Sequence, residues 1–283
     1  IHGIAKRANV AYKTYQIPKR NGGNRTIHHP SKELKSLQRW LLQNTISDWV
    51  VHPSAGAYRP GLNIRKTAEV HSASQFLLRM DFKSFFPSIL DSDIVAYLSQ
   101  SSSGWAEEDI ALFVSLVCRR GKLTIGAPTS PSISNALCFG LDVKLHAAVQ
   151  NEELLYSRYA DDLIFSAMAK DTLGKFPDRV KSIVKELDIP SNLSINEAKT
   201  RHASKKGRRK VLGLILGSDG QISIGRTRKR FIRRQIFRYD DLTPAESKQL
   251  AGLLAFAKDI EPDLVNRLIL KYGHKLVSKA QTQ

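Results

Sequence analysis

The sequence predicts an α+β fold, and three local patterns lead to it. Apolar, alternating segments at 154–158 and 163–166 flank Tyr159-Ala160-Asp161-Asp162, predicting a hairpin with two adjacent carboxylates at its tip. Strand-like runs at 14–19 and 25–29 enclose Arg20-Asn21-Gly22-Gly23-Asn24, whose Asn-Gly-Gly core predicts a second hairpin. Toward the C-terminal end, Thr243-Pro244-Ala245-Glu246 joins a capping box to a proline at the first helical position, a clear helix start.

The other elements follow in chain order. From 31 to 50, Leu34, Leu37, Leu41 and Leu42 recur at helical spacing, with Ser31 as N-cap and Lys32-Glu33 in the first turn. Residues 75–80 are a short apolar run that predicts a buried strand ending at Asp81. Helix and strand then alternate up to Val211-Leu212-Gly213-Leu214-Ile215-Leu216. From about Ile222 the chain is predicted helical, and Glu261-Pro262 opens the last helix. With 283 residues, 42% of them hydrophobic, the chain can bury a sizeable core shared by two or three subdomains.

Composition narrows the partners. Lys and Arg number 44 against 26 Asp and Glu, a formal charge of +18, and the isoelectric point is about 10.0. Between Lys199 and Arg238 there are 14 basic residues and one acid, Asp219, a local net of +13. That run is too lopsided for salt-bridge lacing and predicts a nucleic-acid footprint, because phosphate contacts release counterions and drive binding. Cys118 and Cys138 lack metal-ligand spacing, so neither a disulfide framework nor zinc is indicated, and a reducing compartment is expected. No apolar stretch reaches the ~20 residues of a membrane span, and no signal peptide is visible. The sequence opens on Ile1 rather than methionine, which leaves room for a preceding native segment.

An isolated Asp-Asp pair is an ordinary turn former. Here Asp81 supplies a third carboxylate at the end of another strand. Two strand-end acidic sites are the minimum for clamping two Mg²⁺ ions, and such a clamp serves phosphoryl displacement, with one ion at the attacking hydroxyl and one at the departing pyrophosphate. This chemistry is nucleotidyl transfer.

With these residues and this order of elements, the chain resembles a reverse transcriptase. Residues 19–30 resemble the fingers hairpin of that family, with its Lys-x-Gly-Gly-x-Arg character, and Leu78-Arg79-Met80-Asp81-Phe82-Lys83-Ser84-Phe85-Phe86-Pro87 resembles the first metal motif. Gly126-Ala127-Pro128-Thr129-Ser130-Pro131-Ser132-Ile133-Ser134-Asn135 resembles the Gly-rich segment beneath the templating base and incoming nucleotide. Tyr159 to Asp162 is the second metal motif, and Leu193-Ser194-Ile195-Asn196-Glu197-Ala198-Lys199-Thr200 resembles the motif whose Lys protonates pyrophosphate. Within the family the bacterial retron enzymes match best. Val211-Leu212-Gly213-Leu214 followed by Ile224-Gly225-Arg226 resembles their Val-Thr-Gly-Leu segment and thumb start, with Leu212 in place of Thr. Thr67-Ala68-Glu69-Val70-His71 resembles their Asn-Ala-x-x-His element, with Thr67 in place of Asn, and Ile125 stands where many reverse transcriptases carry Gln.

The resemblance implies a right-hand polymerase fold. Its divisions are fingers at 1–78, a palm with antiparallel sheet and helices at 79–220 (including a fingers-side helical insertion at about 91–124), and a helical, RNA-binding thumb at 221–283. It further implies that Asp81 and Asp161 bind two Mg²⁺ ions with the Phe82 carbonyl, and that Asp162 orients or ligates. Lys199 would act as general acid, Arg25 and Lys19 would meet the triphosphate, and Phe86 would exclude a ribose 2′-OH. Gly126, Ala127 and Ser130 would contact the nucleotide, while Arg226, Arg228, Arg230, Arg233 and Arg234 would track RNA from a helix whose Phe231, Ile232 and Ile236 pack inward. His71 is expected to be structural. The implied reaction copies part of a cognate structured non-coding RNA, from dNTPs, into a branched RNA-linked single-stranded DNA (msDNA). The expected setting is the bacterial cytoplasm, with an associated effector protein in phage defence, no membrane partner, and room for a higher-order oligomer. A group II intron or diversity-generating reverse transcriptase, an RNA-dependent RNA polymerase, and a catalytically silent RNA-binding protein remain alternatives at this level.

Overall fold

The computed structural model describes residues 1–19, 22–101 and 104–281, so Arg20 and Asn21 of the predicted fingers turn, and Thr282 and Gln283 of the predicted thumb, lie outside the described residues. The chain divides into two compact units: Ile1–Asn63 with Leu78–His202, and Ile64–Leu77 with Ala203–Gln283.

The N-terminal elements are α1 (His2–Ala5), β1 (Tyr12–Pro18), β2 (Asn24–Pro30) and α2 (Lys32–Asn44). Strands β1 and β2 pair antiparallel from Tyr12↔Pro30 to Pro18↔Asn24, the hairpin read from the sequence. The Ser31 side chain accepts the Leu34 N–H and caps α2, as expected. This helix stops short of the predicted 50, however. Thr45 leaves helical geometry, and a single 3₁₀ turn follows at Ile46–Asp48. There the Ser47 hydroxyl donates to the Gln43 carbonyl and to Asp48, local bonds that compete with helix continuation.

Next come α3 (Ile64–Val70), β3 (Phe76–Asp81), α4 (Asp91–Ser99), α5 (Glu107–Val117), α6 (Ser130–Leu137) and α7 (Phe139–Gln150). They are followed by β4 (Leu155–Tyr159), β5 (Asp162–Ala167), α8 (Phe176–Lys185) and β6 (Arg201–Ser204). The central sheet runs β4-β5-β3-β6. Strands β3, β4 and β5 are largely buried, and Leu78 and Met80 of β3 with Leu163 to Phe165 of β5 lie in the core of the first unit. Both free cysteines are inside, and burial pushes the thiols of Cys118 and Cys138 up to about 12, so neither is a reactive thiolate.

The second unit holds β7 (Arg209–Val211), β8 (Leu214–Leu216), β9 (Ile222–Ser223), α9 (Arg226–Phe237), α10 (Pro244–Ile260), α11 (Pro262–Tyr272) and α12 (His274–Gln281). The apolar run 211–216 is a hairpin, because Leu212 and Gly213 both take positive φ (48° and 84°) and reverse the chain between β7 and β8. The capping box at Thr243 and Glu246 is formed in both directions. Glu261-Pro262 opens α11 rather than the final helix, since Gly273 at φ 88° ends α11 and α12 follows. His71 is completely buried, and burial lowers its pKa to about 3, so it is neutral. Among the described residues no helix is long and apolar enough to cross a membrane.

Candidate active site

The carboxylate hairpin is tight. Tyr159 pairs with Asp162, leaving Ala160 and Asp161 as a two-residue turn between β4 and β5. Such turns need positive φ, and Ala160 supplies it at 56°, a conformation that costs an L residue about 1 kcal/mol or more. The cost is met from beneath by a buried polar cluster. Arg158 donates to the Ala160 carbonyl (3.3 Å) and to Asn135 Oδ1 (3.1 Å), and it grips Asp142 bidentately through Nε (2.8 Å) and Nη2 (2.6 Å). The Tyr156 hydroxyl donates to the same carboxylate at 2.6 Å. Asn135 in turn donates to the Ala57 carbonyl (2.8 Å), and Arg158 exchanges backbone bonds with Ser54 and Gly56. The turn bearing Asp161 is thereby tied to the body of the first unit.

Asp81 ends β3, the strand beside β5. The Phe82 N–H donates to the Asp161 carbonyl at 3.2 Å, linking the two acidic sites through backbone. A third segment lies alongside: Asn196 N–H donates to the Asp81 carbonyl (2.7 Å) and Lys83 N–H to the Ser194 carbonyl (2.9 Å). Three residues on, a 3₁₀ turn at Glu197–Lys199 delivers the Lys199 ammonium to both oxygens of Asp81, at 2.8 and 2.9 Å.

The electrostatics separate the three acids. Burial pushes the Asp161 carboxyl up to about 6, and the charges of Asp81 and Asp162 add to the rise. Burial raises Asp162 as well, but Arg79 works against it from 3.3 Å. Asp162 is therefore given to Arg79, while Asp161 faces Asp81 across an excess of negative charge. Among the described residues no three His, Cys, Asp or Glu side chains stand together as a group able to hold a metal ion, in keeping with Asp162 being held by Arg79. The pair Asp81 and Asp161 does fit a hard cation. Its oxygens are the right donors, its mutual repulsion is what a cation relieves, and the Lys199 ammonium already stands in for positive charge on Asp81.

A pH dependence follows. A carboxyl raised from 3.8 to about 6 resists ionisation in the fold, so its contribution to stability falls as pH rises from about 4 to about 6. A cation that binds the ionised form should then stabilise the protein little at pH 5 and progressively more through pH 6. Melting temperatures with and without Mg²⁺ across this range check it, and a Mg²⁺ increment independent of pH would rule it out.

Around the acids stand residues of mixed legibility. Phe86 is half-buried beside Phe85, with its ring 6.4 Å from that of Tyr58. Tyr58 was not singled out from sequence. It is 48% exposed, takes φ 59°, and its hydroxyl is pushed up by burial and then by the Asp161 charge, with Arg25 opposing. It therefore marks where Arg25, Phe86 and Asp161 approach one another. Arg25 is exposed on β2, and Lys19 is exposed just beyond β1.

Gly126 belongs to this layer for a steric reason. It adopts φ 115°, and a Cβ there would lie 2.7 Å from the His28 carbonyl, while Ile125 accepts the His28 N–H at 2.8 Å. The segment is thus pressed against β2. Ala127 and Ser130, the other expected nucleotide contacts of this segment, have buried side chains, and the Ser130 hydroxyl accepts the Thr124 N–H at 3.3 Å.

In the second unit, α9 sorts its basic residues. Ile232, Gln235 and Ile236 are buried, and Arg226, Arg230, Arg233 and Arg234 are exposed. Arg228 is the exception to the predicted RNA-facing set. It donates to the Gly213 (2.9 Å) and Ile224 (3.4 Å) carbonyls and lies over the Phe256 ring, so it holds the unit together. Lys229 pairs with Glu261, and Arg238 falls just past the helix end. Phe237, 80% exposed, shares the helical face of Arg226, Arg230 and Arg233.

The family model for reverse transcriptase (RNA-dependent DNA polymerase) matches residues 17–216. The chain is 32% identical over 284 residues to the retron Ec83 reverse transcriptase of Escherichia coli, covering 97% of this chain and 91% of that one. It is 30% identical over 285 residues to the retron Ec86 reverse transcriptase of the same organism, with 97% and 87% covered. Among solved structures, telomerase from Candida tropicalis with a TWJ fragment of telomeric RNA superposes at a TM-score of 0.55 and 12% identity, covering 93% of this chain and 55% of that one. Telomerase from Candida albicans with such a fragment gives 0.53 at 12% identity, with 99% and 64% covered. The chain thus spans between about half and two thirds of those telomerase chains, a likeness of fold.

Proposed function

Because this chain belongs to the reverse transcriptase family, and within it to the retron enzymes, we propose that it copies part of its own structured non-coding RNA into a branched RNA-linked single-stranded DNA. Its fold is the right-hand polymerase fold, and RNA-directed DNA polymerase activity comes with the family. The observation that carries the proposal is the Asp81–Asp161 pair at adjoining strand ends, with Lys199 on Asp81. We retain the division into fingers at 1–78, palm at 79–220 and thumb at 221–283 as part of this reading.

The family uses divalent metal ions, and here two Mg²⁺ would be held by Asp81, Asp161 and the Phe82 carbonyl. Bound there, such ions supply charge neutralisation and Lewis acidity at the attacking and departing oxygens. Asp162, gripped by Arg79, keeps the tip in position. Lys199 holds a proton at Nζ and gives it to the departing pyrophosphate, which requires the ammonium to leave Asp81. Arg25 and Lys19 hold the triphosphate by charge-assisted bonds. Phe86, backed by Phe85 and Tyr58, closes the space a 2′-OH would need and so selects dNTPs.

The exposed face of α9 binds the RNA. Its arginines meet phosphates, and Phe237 offers a ring on which an unpaired base can stack. Glu substitutions at Arg230, Arg233 and Arg234 should weaken RNA binding and flatten its salt dependence by about 0.7 in slope for each lost contact. Arg228→Ala should instead lower the melting temperature, because the Gly213 and Ile224 carbonyls lose their donor. Unchanged RNA affinity in the Glu variants would remove α9 as the RNA face. The setting we infer is the bacterial cytoplasm, with an effector protein restrained by the DNA–enzyme complex in phage defence, and with room for a higher-order oligomer.

The test is to express the gene with its neighbouring non-coding DNA and resolve small nucleic acids before and after RNase and debranching treatment. A discrete DNA that shifts on debranching and vanishes with Asp161→Ala is expected. If that species is missing while Mg²⁺-dependent extension of a primed RNA persists, the branched product is excluded and polymerisation retained.

A further inference from the structure

We propose that a basic groove on the first unit, built by β1, β2 and the start of α2, binds the phosphate backbone of the RNA partner. The groove has a volume of about 660 Å³, and its lining includes Lys13, His29, Lys32, Lys35 and Arg39. None of these belongs to the carboxylate site or to α9.

Each of these side chains has a structural reason to face this space. Lys13 and His29 are direct cross-strand partners in the β1–β2 register. Lys32, Lys35 and Arg39 follow i, i+3, i+7 spacing and form one stripe of α2, whose opposite side buries Leu34, Gln38 and Leu41. The two sets meet where the Lys35 ammonium comes within 3.5 Å of His29 Nε2. The corner is fixed by Ser31 N–H donating to the Ala11 carbonyl at 2.7 Å, and exposed Val10 and buried Pro30 add apolar surface to the lining. Glu33, the acid of the first turn, lies off the stripe by helical spacing, and among the described residues no carboxylate lines the groove.

The charge balance indicates the ligand. Among the described residues, Lys13, Lys32, Lys35 and Arg39 make no ion pair with a carboxylate, whereas Lys199 and Lys229 do. Like charges gathered in a concave surface repel one another, and the fold recovers that cost only when an anion enters. From Lys32 to Arg39 the helix rises roughly 10 Å, longer than a single phosphate and suited to a run of backbone. A chain of formal charge +18 whose family works on RNA selects a nucleic-acid strand as that run, and the inference rests on the retron reading for its choice of RNA.

The experiment compares the full chain with a Lys32→Gln, Lys35→Gln, Arg39→Gln variant. All three side chains lie on the outer face of α2, so circular dichroism and melting temperature should match the parent. RNA binding is titrated against salt, with single-stranded DNA of the same length as a parallel arm. The variant should bind the non-coding RNA roughly 10- to 100-fold more weakly near physiological salt, with the log–log salt slope reduced by about 2 for three lost contacts. Extension of a short primed RNA at saturating template should be unchanged, because the groove holds none of the carboxylate machinery. Equal RNA affinity and slope in variant and parent would overturn the inference, as would a loss confined to the DNA arm. If the parent itself extends no primer, the polymerase reading fails instead, and the two failures are distinguishable.

Discussion

Replacing Asp161 with asparagine should abolish DNA synthesis while making the protein more stable. At neutral pH the native carboxylate is ionised against its preference, half-buried and facing the charges of Asp81 and Asp162. An amide of the same shape removes that repulsion, so the melting temperature should rise at pH 7 and change little at pH 5, where Asp161 is already largely protonated. Loss of one donor for the catalytic cations is worth several kcal/mol of transition-state stabilisation, or about three orders of magnitude in rate. Single-turnover primer extension and calorimetry on one preparation check both halves. RNA affinity should be untouched, because none of the RNA contacts inferred above involves the hairpin tip. Residual synthesis within tenfold of the parent would show that Asp161 is not part of the catalytic pair.

The second large effect lies one layer below. Asp142→Ala should destabilise the protein by about 3–5 kcal/mol, because Arg158 would remain as a charge buried without its partner. Both side chains are 0% exposed, so water cannot substitute for the lost carboxylate. Replacing Asp142 and Arg158 together by apolar residues of similar volume should recover most of that stability. It should not recover synthesis to the same degree, since Arg158 also donates to the carbonyl of Ala160, the residue that lets the tip turn at positive φ. Denaturation midpoints and extension rates of the two variants separate these roles. A cost below about 1 kcal/mol for Asp142→Ala would mean that the cluster does not hold the tip.

Much of this was legible beforehand where the determinant was local. The β4–β5 hairpin follows from alternation around Tyr159 to Asp162, α2 from Ser31 and its leucine spacing, and α10 from its capping box. The partner of Asp162 left a trace as well. Arg79 stands two residues before Asp81, and period two puts both on one face of β3. Elsewhere local signals misled. The segment 211–216 reverses at Leu212-Gly213, and the five arginines read as one RNA-facing set include Arg228, which donates to backbone carbonyls.

The sequence by itself determined which chemistry is present: three acids on two strand ends, a lysine downstream, and a surplus of cations for a polyanion. Residue types and short spacings carry that information, because strand period and turn preference act over a few residues. Only the tertiary structure decided how the groups are used. Asp81 is held by Lys199 from 118 positions away in sequence, Asp162 by Arg79 from 83, and Asp161 is left to face its neighbours' charge. Burial and Coulomb interaction depend on distance through space, which packing sets and no local pattern encodes.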